Sequence, residues 1–371
     1  MSKKIIFSAN SLWFLYNFYG GLIKEFQKLN YEIIVVGKKD KTVPFFKDMG
    51  VLVIEIPFAS KSGNPLKNLS ILFSYIKIFK KTKPVSVLNF TIKANVYGAI
   101  AARLFSIPCI NTQPGLGTVF MYNNFVSFVA KMMYKFTQNY PRKIFVLNNE
   151  DYDLLVNSKL VPKEKTEIIR GSGIDIEKFS PVQCRDKTEK EFRLLYIGRI
   201  LKDKGIYELI EALRMLKKEE FKISCKFVGF VDADNVSAVS IGEIRNWEKE
   251  ELIKYEGSTN DVRPFISDSD VVVLPSFYRE GLPQSLMEAS AMEKIIIATN
   301  VQGCKDVVSD GYNGYLCEAK NSKSLCEAIK KVLIMPQEKR IEMGKNGRKY
   351  VSQRFEKSII YKNYLDLVKT F

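Results

Sequence analysis

The chain has 371 residues, enough for two domains of ordinary size that each bury their own hydrophobic core. Its hydrophobic content of 46% and charged content of 26% exclude a disordered chain, and no apolar run approaches the roughly 18 residues that span a bilayer. The formal net charge is +16. The chain contains no histidine, and this absence excludes Ser-His and Cys-His hydrolases and His-ligated metal hydrolases.

The first residues, MSKKIIFSANSLWF, combine lysines with an apolar run, as a signal peptide does. Polar residues at Ser8, Asn10 and Ser11 interrupt that run, and we therefore interpret KKIIFSAN as a first buried strand. The six cysteines are scattered without C-x-x-C spacing, which argues against a zinc site and fits a reduced cytoplasmic setting.

Short β-branched runs alternate with helical patterns along the whole chain. Strands are predicted at residues 4–9, 32–37, 51–57, 85–90, 108–113, 143–148, 167–170, 192–198, 224–229, 252–257, 271–276, 295–300 and 315–318. Helices are predicted near residues 18–29, 66–82, 94–106, 122–139, 149–157, 205–218, 261–267, 283–293, 322–334 and 337–350. This alternation predicts an α/β protein whose parallel sheets carry helices on both faces.

A polar and charged segment at residues 173–192, with Pro181 inside it, is the predicted linker. It separates two doubly wound, Rossmann-like domains, the first over residues 1–175 and the second over residues 190–354. Two such domains would face each other across a cleft. Because open α/β sheets bind ligands outside the carboxyl ends of their strands, we expect functional residues in the loops that follow strands.

The positive charge is concentrated in the first half of the chain. Residues 1–190 carry 28 Lys and Arg against 14 Asp and Glu, a net of +14, whereas the remainder carries 29 against 27, a net of +2. The first half therefore faces an anionic partner, for which membrane lipid, a phosphorylated ligand and nucleic acid are the candidates. Nucleic acid is disfavoured because no zinc-finger, RRM or KH signature is present.

The segment YIGRILKDKG places two cations in a loop after a predicted strand. The strand ends at Ile197, Gly198 turns the chain, and a helix begins near Gly205, so that Arg199 and Lys204 lie beside free N–H groups of a helix N-terminus. That arrangement suits a diphosphate. A solvated basic loop would carry the same residues, and the spacing alone leaves both interpretations open.

The segment REGLPQSLMEA places two carboxylates where a strand gives way to a helix. Pro283 suits the first helical turn, which puts Glu280 in the loop and Glu288 about one and a half turns into the helix. Carboxylates repel phosphate, but they accept hydrogen bonds from the hydroxyls of a sugar or a ribose. A surface acid near a helix N-terminus and an ordinary helical acid would give the same pattern.

Together these segments resemble retaining GT-B glycosyltransferases of family 4, and most of all the bacterial enzymes that build capsular or O-antigen polysaccharides on lipid carriers. The resemblance runs almost end to end, through LYNF, IKANVYGAIAARLFSIPCINTQPGLGTVF, GSGIDIEKFSP, GRILKDKG, STNDVRPFISDSDVVVLPS and REGLPQSLMEASAMEKIIIATNVQGCKDVVSDGYNGYL. Its most specific part is the pair of glutamates with seven residues between them, preceded by the arginine and lysine of the earlier loop.

The resemblance implies donor-binding roles for four charged residues. Arg199 and Lys204 would bind the diphosphate of a nucleotide-sugar donor and stabilise it as the leaving group. Glu280 would contact the transferred sugar, and Glu288 would hydrogen-bond the ribose hydroxyls.

Further positions follow from the same resemblance. The backbone N–H groups around Gly281 and Leu282 would lie near the sugar, and Gly303 would lie near the donor sugar or the acceptor pocket. Lys93 matches a lysine that relatives of the lipid-carrier type keep in the first-domain loop. The last residues, about 355–371, would cross back onto the first domain.

The sequence departs from the family pattern at several positions. Ile92 stands where many relatives carry a donor-positioning histidine, and Ser258 stands where another histidine is common. Tyr19 replaces an arginine, and Glu293 replaces a glycine. These departures leave the second-domain donor site intact, but they leave no catalytic side chain assigned in the first domain.

The implied reaction needs neither histidine nor metal. In a retaining transfer on one face of the sugar, an oxygen of the leaving diphosphate can accept the proton of the incoming hydroxyl. The D-x-D patterns at Asp268–Asp270 and Asp232–Asp234 have the spacing of metal-dependent transferases. The first precedes a strand at its amino end, away from the ligand side, and we interpret both as ordinary loops. No metal and no other cofactor is expected.

The resemblance thus implies transfer of a hexose or N-acetylhexosamine from a UDP-linked sugar to a hydroxyl of a polyprenyl-diphosphate-linked saccharide. A UDP-sugar epimerase of the same fold is the nearest alternative, although such enzymes depend on acid–base side chains that include histidine. A non-catalytic carbohydrate- or nucleotide-binding protein would usually lose the two glutamates. A glycosidase with paired carboxylates would leave Arg199 and Lys204 unexplained.

The stretch FMYNNFVSFVAKMMYKFTQNYPRK interleaves apolar residues with Lys131, Lys135, Arg142 and Lys143. It could lie on an anionic membrane surface with its apolar face down, or it could pack inside the first domain with basic flanks. The net charge of +14 in residues 1–190 favours the membrane. The expected location is then the cytoplasmic face of the inner membrane, with peripheral association.

Overall fold

The computed structural model describes residues 3–58, 65–115, 125–182, 191–232, 235–278 and 281–371. Contacts between residues divide the chain into two compact units. The first comprises Met1–Gly173 and Lys357–Phe371, and the second comprises Ile174–Glu356.

A parallel sheet of seven strands forms the centre of the first unit. Its strands are β1 (Lys4–Ser11), β2 (Glu32–Lys38), β3 (Leu52–Glu55), β4 (Ser86–Phe90), β5 (Cys109–Gln113), β6 (Lys143–Val146) and β7 (Thr166–Ile168). They lie in the order β3-β2-β1-β4-β5-β6-β7. Every residue of β4 and β5 is buried, because parallel strands of this kind are covered by helices on both faces.

Eight helices belong to the described part of the first unit. They are α1 (Leu12–Phe14), α2 (Gly20–Lys28), α3 (Val43–Asp48), α4 (Pro65–Thr82), α5 (Ile92–Leu104), α6 (Phe125–Thr137), α7 (Asn149–Asn157) and, from the end of the chain, α15 (Lys357–Lys369). A π-helical segment, Leu15–Tyr19, joins α1 to α2.

The second unit contains a parallel sheet of six strands in the order β10-β9-β8-β11-β12-β13. These strands are β8 (Phe192–Ile197), β9 (Ile223–Val228), β10 (Lys254–Tyr255), β11 (Val271–Leu274), β12 (Ile295–Thr299) and β13 (Gly314–Cys317). Its helices are α8 (Ile206–Lys218), α9 (Ile241–Lys249), α10 (Arg263–Asp268), α11 (Gln284–Ala291), α12 (Cys304–Val307), α13 (Ser322–Leu333) and α14 (Gln337–Phe355). Throughout the described ranges, no helix of either unit combines the length and apolar character that a membrane span requires.

The predicted α/β class with two doubly wound parallel sheets is confirmed, and each of the thirteen predicted strands is present. Helices α1, α3, α9 and α12 were not predicted. Helix α9 has only nine residues, three of them large and apolar, but its start carries a local signal. The Ser240 hydroxyl accepts from the Glu243 N–H, and the Glu243 carboxylate accepts from the Ser240 N–H, which together form a capping box.

Part of the predicted linker is packed onto the second unit. Ile174 and Phe179 are buried in its core. The Arg348 guanidinium donates to the carbonyl oxygens of Ile176 and Phe179, at 3.1 Å each. The second unit therefore begins at Ile174, although the charges of this segment led us to place its start near residue 190.

Both sheets reverse their strand order at one point. In the first sheet the reversal lies between β1 and β4, and in the second it lies between β8 and β11. Open α/β sheets bind ligands in the crevice at such a point, outside the carboxyl ends of the strands. The loops after β1, β4, β8 and β11 are therefore the places to look for functional residues.

Helix α15 is anchored to the first unit by aromatic packing. The Tyr364 ring is fully buried, 4.9 Å from the Phe145 ring and 5.9 Å from the Phe90 ring between centroids. Its hydroxyl forms a 2.8 Å hydrogen bond with the Thr112 hydroxyl, and burial raises the pKa of Tyr364 well above its ordinary value. The Tyr19 ring is tilted against the same Phe90 ring with 4.0 Å between centroids, so Tyr19 is also part of this core.

Replacement of Tyr364 by alanine should destabilise the first unit by about 3–5 kcal/mol, because it leaves a cavity in a closed aromatic core. Chemical denaturation followed by circular dichroism measures the loss. Ile359→Ala, at an exposed position of the same helix, should stay within about 0.5 kcal/mol. Equal stabilities of the two variants would contradict the anchoring role.

Candidate active site

The loop between β8 and α8 carries the two predicted phosphate-binding cations. Lys202–Lys204 form one turn of 3₁₀ helix, and α8 begins at Ile206 directly behind it. The Tyr196 hydroxyl donates to the Arg199 carbonyl oxygen at 2.7 Å. Strand β8 therefore fixes the backbone at the point from which the Arg199 side chain leaves.

Main-chain hydrogen bonds join this loop to the loop after β11. The Asp203 carbonyl oxygen accepts from the N–H groups of Phe277 and Tyr278, at 3.0 Å each. The Lys204 ammonium lies 5.6 Å from the centroid of the Tyr278 ring, which is a cation–π distance. The cationic loop and the loop that leads to the two acids are thus held side by side.

A third loop, after β9, closes the other side of the arrangement. The Ser237 hydroxyl donates to the Asp203 carboxylate at 2.7 Å, and the Lys202 N–H donates to the Ser237 carbonyl oxygen at 2.7 Å. From the same loop, an Asp232 carboxylate oxygen lies 3.8 Å from the Arg199 guanidinium. The guanidinium therefore has an anionic neighbour at the position where the predicted diphosphate would compete for it.

The close approach of the loops after β8 and β11 requires glycine at position 205. Its φ of +74° lies in the left-handed region, and a Cβ at this position would lie 2.0 Å from the Pro275 carbonyl oxygen. Any side chain would force apart the loops after β8 and β11.

Of the two predicted acids, Glu288 lies on helix α11, which follows β11 along the chain. Glu280 lies outside the described residues. Gly281 and Leu282 are described and half-buried directly before α11, and Glu288 is half-buried on α11 itself. Pro283 is the N-cap of α11 rather than a residue of its first turn. The Thr299 hydroxyl at the end of β12 donates to the Ser276 carbonyl oxygen, which ties this loop to the next strand.

Gly303 lies at the carboxyl end of the neighbouring strand β12. It is the N-cap of α12 with a φ of +79°, and its N–H donates to the Asp306 carboxylate at 3.3 Å. Arg199, Lys204, Glu288, Gly281, Leu282 and Gly303 therefore all lie in or behind the loops at the carboxyl edge of the second sheet.

In the first unit, Lys93 lies at the strand-order reversal. It is the second residue of α5, just after β4. The Thr91 hydroxyl donates to the Asn10 carboxamide oxygen at 2.9 Å, and the Asn10 N–H donates to the Thr91 hydroxyl at 3.1 Å. These bonds join the end of β1 to the loop after β4. Burial lowers the pKa of Lys93.

The first D-x-D segment is engaged in ion pairs at the opposite edge of the second sheet. Asp268 pairs with Arg193 and with Lys226, the latter at 2.8 Å, and the Asp270 carboxylate accepts from the Arg193 N–H at 2.8 Å. These contacts explain the segment structurally. Asp234 of the second D-x-D segment lies outside the described residues. In the described ranges no cluster of three or more Cys, Asp or Glu is arranged to hold a metal ion.

Two family models match the chain. The model described as "Glycosyl transferase 4-like" matches residues 4–148, and the one described as "Glycosyl transferases group 1" matches residues 182–350. The chain belongs to the GT-B glycosyltransferases.

Individual relatives cover nearly the whole transferase. It is 28% identical over 368 residues to the N,N'-diacetylbacillosaminyl-diphospho-undecaprenol alpha-1,3-N-acetylgalactosaminyltransferase of Campylobacter jejuni, covering 95% of each chain. It is 29% identical over 367 residues to the capsular polysaccharide biosynthesis glycosyltransferase CapM of Staphylococcus aureus, covering 95% of this chain and 93% of that one. The fold matches that of Anabaena HepE in complex with UDP and glucose, with a TM-score of 0.79, 16% identity and full coverage of both chains.

Sequence reasoning missed the residues that hold the transferase's loops together. Asp203 lies between the two predicted cations. Its main-chain carbonyl oxygen accepts the hydrogen bonds that join the loops, and a main-chain contact of this kind cannot be predicted from the residue type. Ser237 lies in the loop after β9, outside any motif that the sequence analysis identified. Asp232 belongs to a D-x-D pattern, and its carboxylate lies 3.8 Å from the Arg199 guanidinium and accepts from the Asn235 carboxamide at 3.4 Å.

Gly205→Ala should destabilise the second unit of the transferase by about 2–4 kcal/mol, because left-handed strain adds to an overlap with a main-chain oxygen. The matched control is Gly311→Ala, at a φ of +73° with no atom within 4 Å of the added Cβ. It should cost only the strain, about 1–2 kcal/mol. Thermal unfolding compares the two variants, and equal losses would refute the close approach of the loops.

Proposed function

We propose that this protein is a retaining, metal-independent glycosyltransferase that moves a hexose or N-acetylhexosamine from a UDP-linked sugar to a hydroxyl of a polyprenyl-diphosphate-linked saccharide. The observation that carries the proposal is the position of Arg199 and Lys204. Both leave the loop after β8, beside the loop after β11, at the strand-order reversal of the second sheet. Two cations at that crevice suit a diphosphate.

The acids complete the donor site by binding hydroxyls. Glu288 is half-buried on α11, behind the loop that contains Gly281 and Leu282. A carboxylate there accepts hydrogen bonds from ribose hydroxyls, while the diphosphate stays with the cations of the neighbouring loop. We assign Glu280 to the transferred sugar on its sequence position alone.

The proposed transfer takes place on one face of the sugar. The bond between the anomeric carbon and the diphosphate oxygen breaks, and a bond from the acceptor hydroxyl oxygen to that carbon forms on the same side. The hydroxyl proton passes to the departing diphosphate oxygen. Arg199 and Lys204 stabilise the negative charge that develops on the diphosphate, so neither a histidine base nor a metal is required. No other cofactor enters the proposal.

The proposed acceptor class draws on the relatives. The Campylobacter jejuni relative acts, by its name, on a sugar linked through diphosphate to undecaprenol, and CapM is named for capsular polysaccharide biosynthesis. Lys93 supports an anionic ligand in the first unit. A cation at the N-terminal end of α5 is disfavoured by the helix dipole, and burial lowers its pKa. A bound phosphate would offset both costs.

We also propose that the first unit lies on an anionic membrane surface through helix α6. Its outward face carries Phe128, Val129, Met132, Met133 and Phe136, and the two phenylalanines are 61% and 67% exposed. These residues recur along one face of the helix, and Lys131 and Lys135 flank them. An apolar stripe with lysines at its border is the pattern of a helix that lies in a membrane interface.

The described residues that α6 buries are Ser127, Tyr134 and Thr137, and each of them carries a hydroxyl. The Gln138 side chain just beyond the helix accepts from the Asn111 carboxamide at 2.8 Å, and the Tyr134 hydroxyl donates to the Gln113 carboxamide at 3.3 Å. A helix that buries polar groups and exposes phenylalanine and methionine is inverted for a surface in water. Lipid on the outer side accounts for that inversion.

The function is tested by incubating the full-length protein with a panel of nucleotide sugars and a polyprenyl-diphosphate-linked saccharide. Arg199→Ala and Lys204→Ala should each lose roughly 3 kcal/mol of transition-state stabilisation, about a hundredfold in turnover. Proton NMR of the product should show the donor's anomeric configuration, and activity should survive dialysis against EDTA.

The matched control is Lys202→Ala, which removes a cation from the same turn. Its ammonium lies over the Tyr207 ring at 5.9 Å rather than at the crevice, so turnover should change less than about threefold. Near-normal turnover in Arg199→Ala and Lys204→Ala would refute the diphosphate assignment. Inverted configuration or loss of activity with EDTA would refute the retaining or metal-independent mechanism.

Membrane contact is tested by co-sedimentation with phosphatidylglycerol vesicles. The double variant Phe128→Glu, Phe136→Glu should bind at least about tenfold more weakly, because each buried phenylalanine contributes about 1.5–3 kcal/mol. The control Ile334→Glu changes an equally exposed apolar residue of the second unit and should bind normally. Unchanged binding by the double variant would rule out α6 as the membrane face.

A further inference from the structure

The segment that follows β1 exposes an indole ring at the carboxyl edge of the first sheet. The chain has two tryptophans. Trp13 is 44% exposed, whereas Trp247 is 5% exposed in the core of the second unit. Tryptophan combines a large apolar ring with a polar N–H and is enriched at binding surfaces. An exposed tryptophan beside a ligand-binding crevice therefore calls for a ligand that covers it.

The backbone and ring of Trp13 are held in place. The main-chain N–H of Trp13 donates to the Asp40 carboxylate at 2.7 Å, and its main-chain carbonyl oxygen accepts from the Asn17 carboxamide at 2.8 Å. Its ring stands edge-on to the Phe18 ring, with centroids 5.9 Å apart and an interplanar angle of 82°. The ring is thus preorganised, and a ligand that stacks on it has little side-chain entropy to overcome.

The helix that presents Trp13 has an uncommon geometry. Leu15–Tyr19 form a π-helical segment directly behind it. Trp13 and Phe18 are five residues apart, which is the spacing of the i to i+5 contacts of a π-helix. Such segments are rare and frequent at functional sites.

Polar groups suited to sugar hydroxyls lie beside the ring. Asn17 is exposed, and Asn10 is half-buried three residues before Trp13. Asn10 is tied to Thr91 at the strand-order reversal, two residues before Lys93. A carboxamide offers both donors and acceptors, as adjacent sugar hydroxyls require.

We propose that Trp13, with Asn10 and Asn17, is a stacking platform for a hexose ring of the acceptor saccharide. The apolar C–H face of the hexose lies on the indole, and its hydroxyls reach the carboxamides. The inference rests on the proposed function, because it names a subsite of the protein that would bind the acceptor. The carboxamides of Asn10 and Asn17 beside the ring favour a saccharide over an anionic lipid surface as the occupant.

Intrinsic fluorescence tests the platform without any transfer reaction. In a Trp247→Phe variant, Trp13 is the only indole. Titration with soluble di- and trisaccharides that contain N-acetylhexosamine or hexose should shift or quench its emission to saturation. Lack of any response, or a response to phosphatidylglycerol vesicles but not to saccharides, would overturn the proposal.

Kinetics separate the platform from a structural role. Trp13→Ala should raise KM for the lipid-linked acceptor at least about tenfold, with kcat and the KM for the nucleotide sugar changed less than about threefold. Trp13→Tyr should restore most of the acceptor affinity, because it keeps an aromatic face. The control Phe105→Ala removes an exposed aromatic ring that follows α5, at the opposite edge of the sheet, and should leave acceptor KM unchanged.

The two proposals fail in different ways. If the wild-type protein neither hydrolyses nor transfers from any nucleotide sugar, the proposed function fails, whatever Trp13 does. If transfer is normal and Trp13→Ala retains the wild-type KM for the acceptor, the platform is refuted and the transferase function stands.

Discussion

The Asp203 carbonyl oxygen holds together the two loops on which the proposed chemistry depends. It accepts from two successive N–H groups, those of Phe277 and Tyr278, and so fixes the loop after β11 against the loop after β8. The left-handed Gly205 makes room for this contact. Arg199 and Lys204 are thereby held beside the loop that leads to α11 and Glu288, and in the proposed reaction preorganised charge of this kind stabilises the leaving group.

At this crevice the positive charge of Arg199 is only partly neutralised. Arg199 faces the Asp232 carboxylate at 3.8 Å, a distance at which the pair is only partly formed. A diphosphate carries more negative charge than one carboxylate and can take the guanidinium from it. In the proposed reaction, the aspartate holds the arginine at the crevice until the diphosphate binds. The proposed reaction needs no histidine because none of the roles assigned to these residues is that of a base.

The sequence predicted the fold well because parallel strands buried on both faces appear as continuous apolar runs. It also placed Arg199 and Lys204 correctly in a loop after a strand, since the run that ends at Ile197 is unambiguous. It could not predict the Asp203 contact, because main-chain hydrogen bonds carry no residue signature. The segment that starts at Ile174 has few apolar residues among many charges, a composition that predicts a linker, although Ile174 and Phe179 are buried in the core of the second unit. Glu280 remains a prediction from sequence.

The outward face of α6 follows from a requirement inside the first sheet. Strands β4 and β5 carry Asn89 and Asn111 in their buried interior, where the Asn89 carboxamide donates to that of Asn111 at 2.9 Å. The Asn111 carboxamide in turn donates to the Asn95 carbonyl oxygen at 3.0 Å and to the Gln138 carboxamide oxygen at 2.8 Å, just beyond the end of α6. Buried amides are usually hydrogen-bonded, and α6 buries its hydroxyl-bearing residues Ser127, Tyr134 and Thr137 on this side. Phe128 and Phe136 are then directed outward, and the proposed membrane face is a consequence of hydrogen bonding in the core.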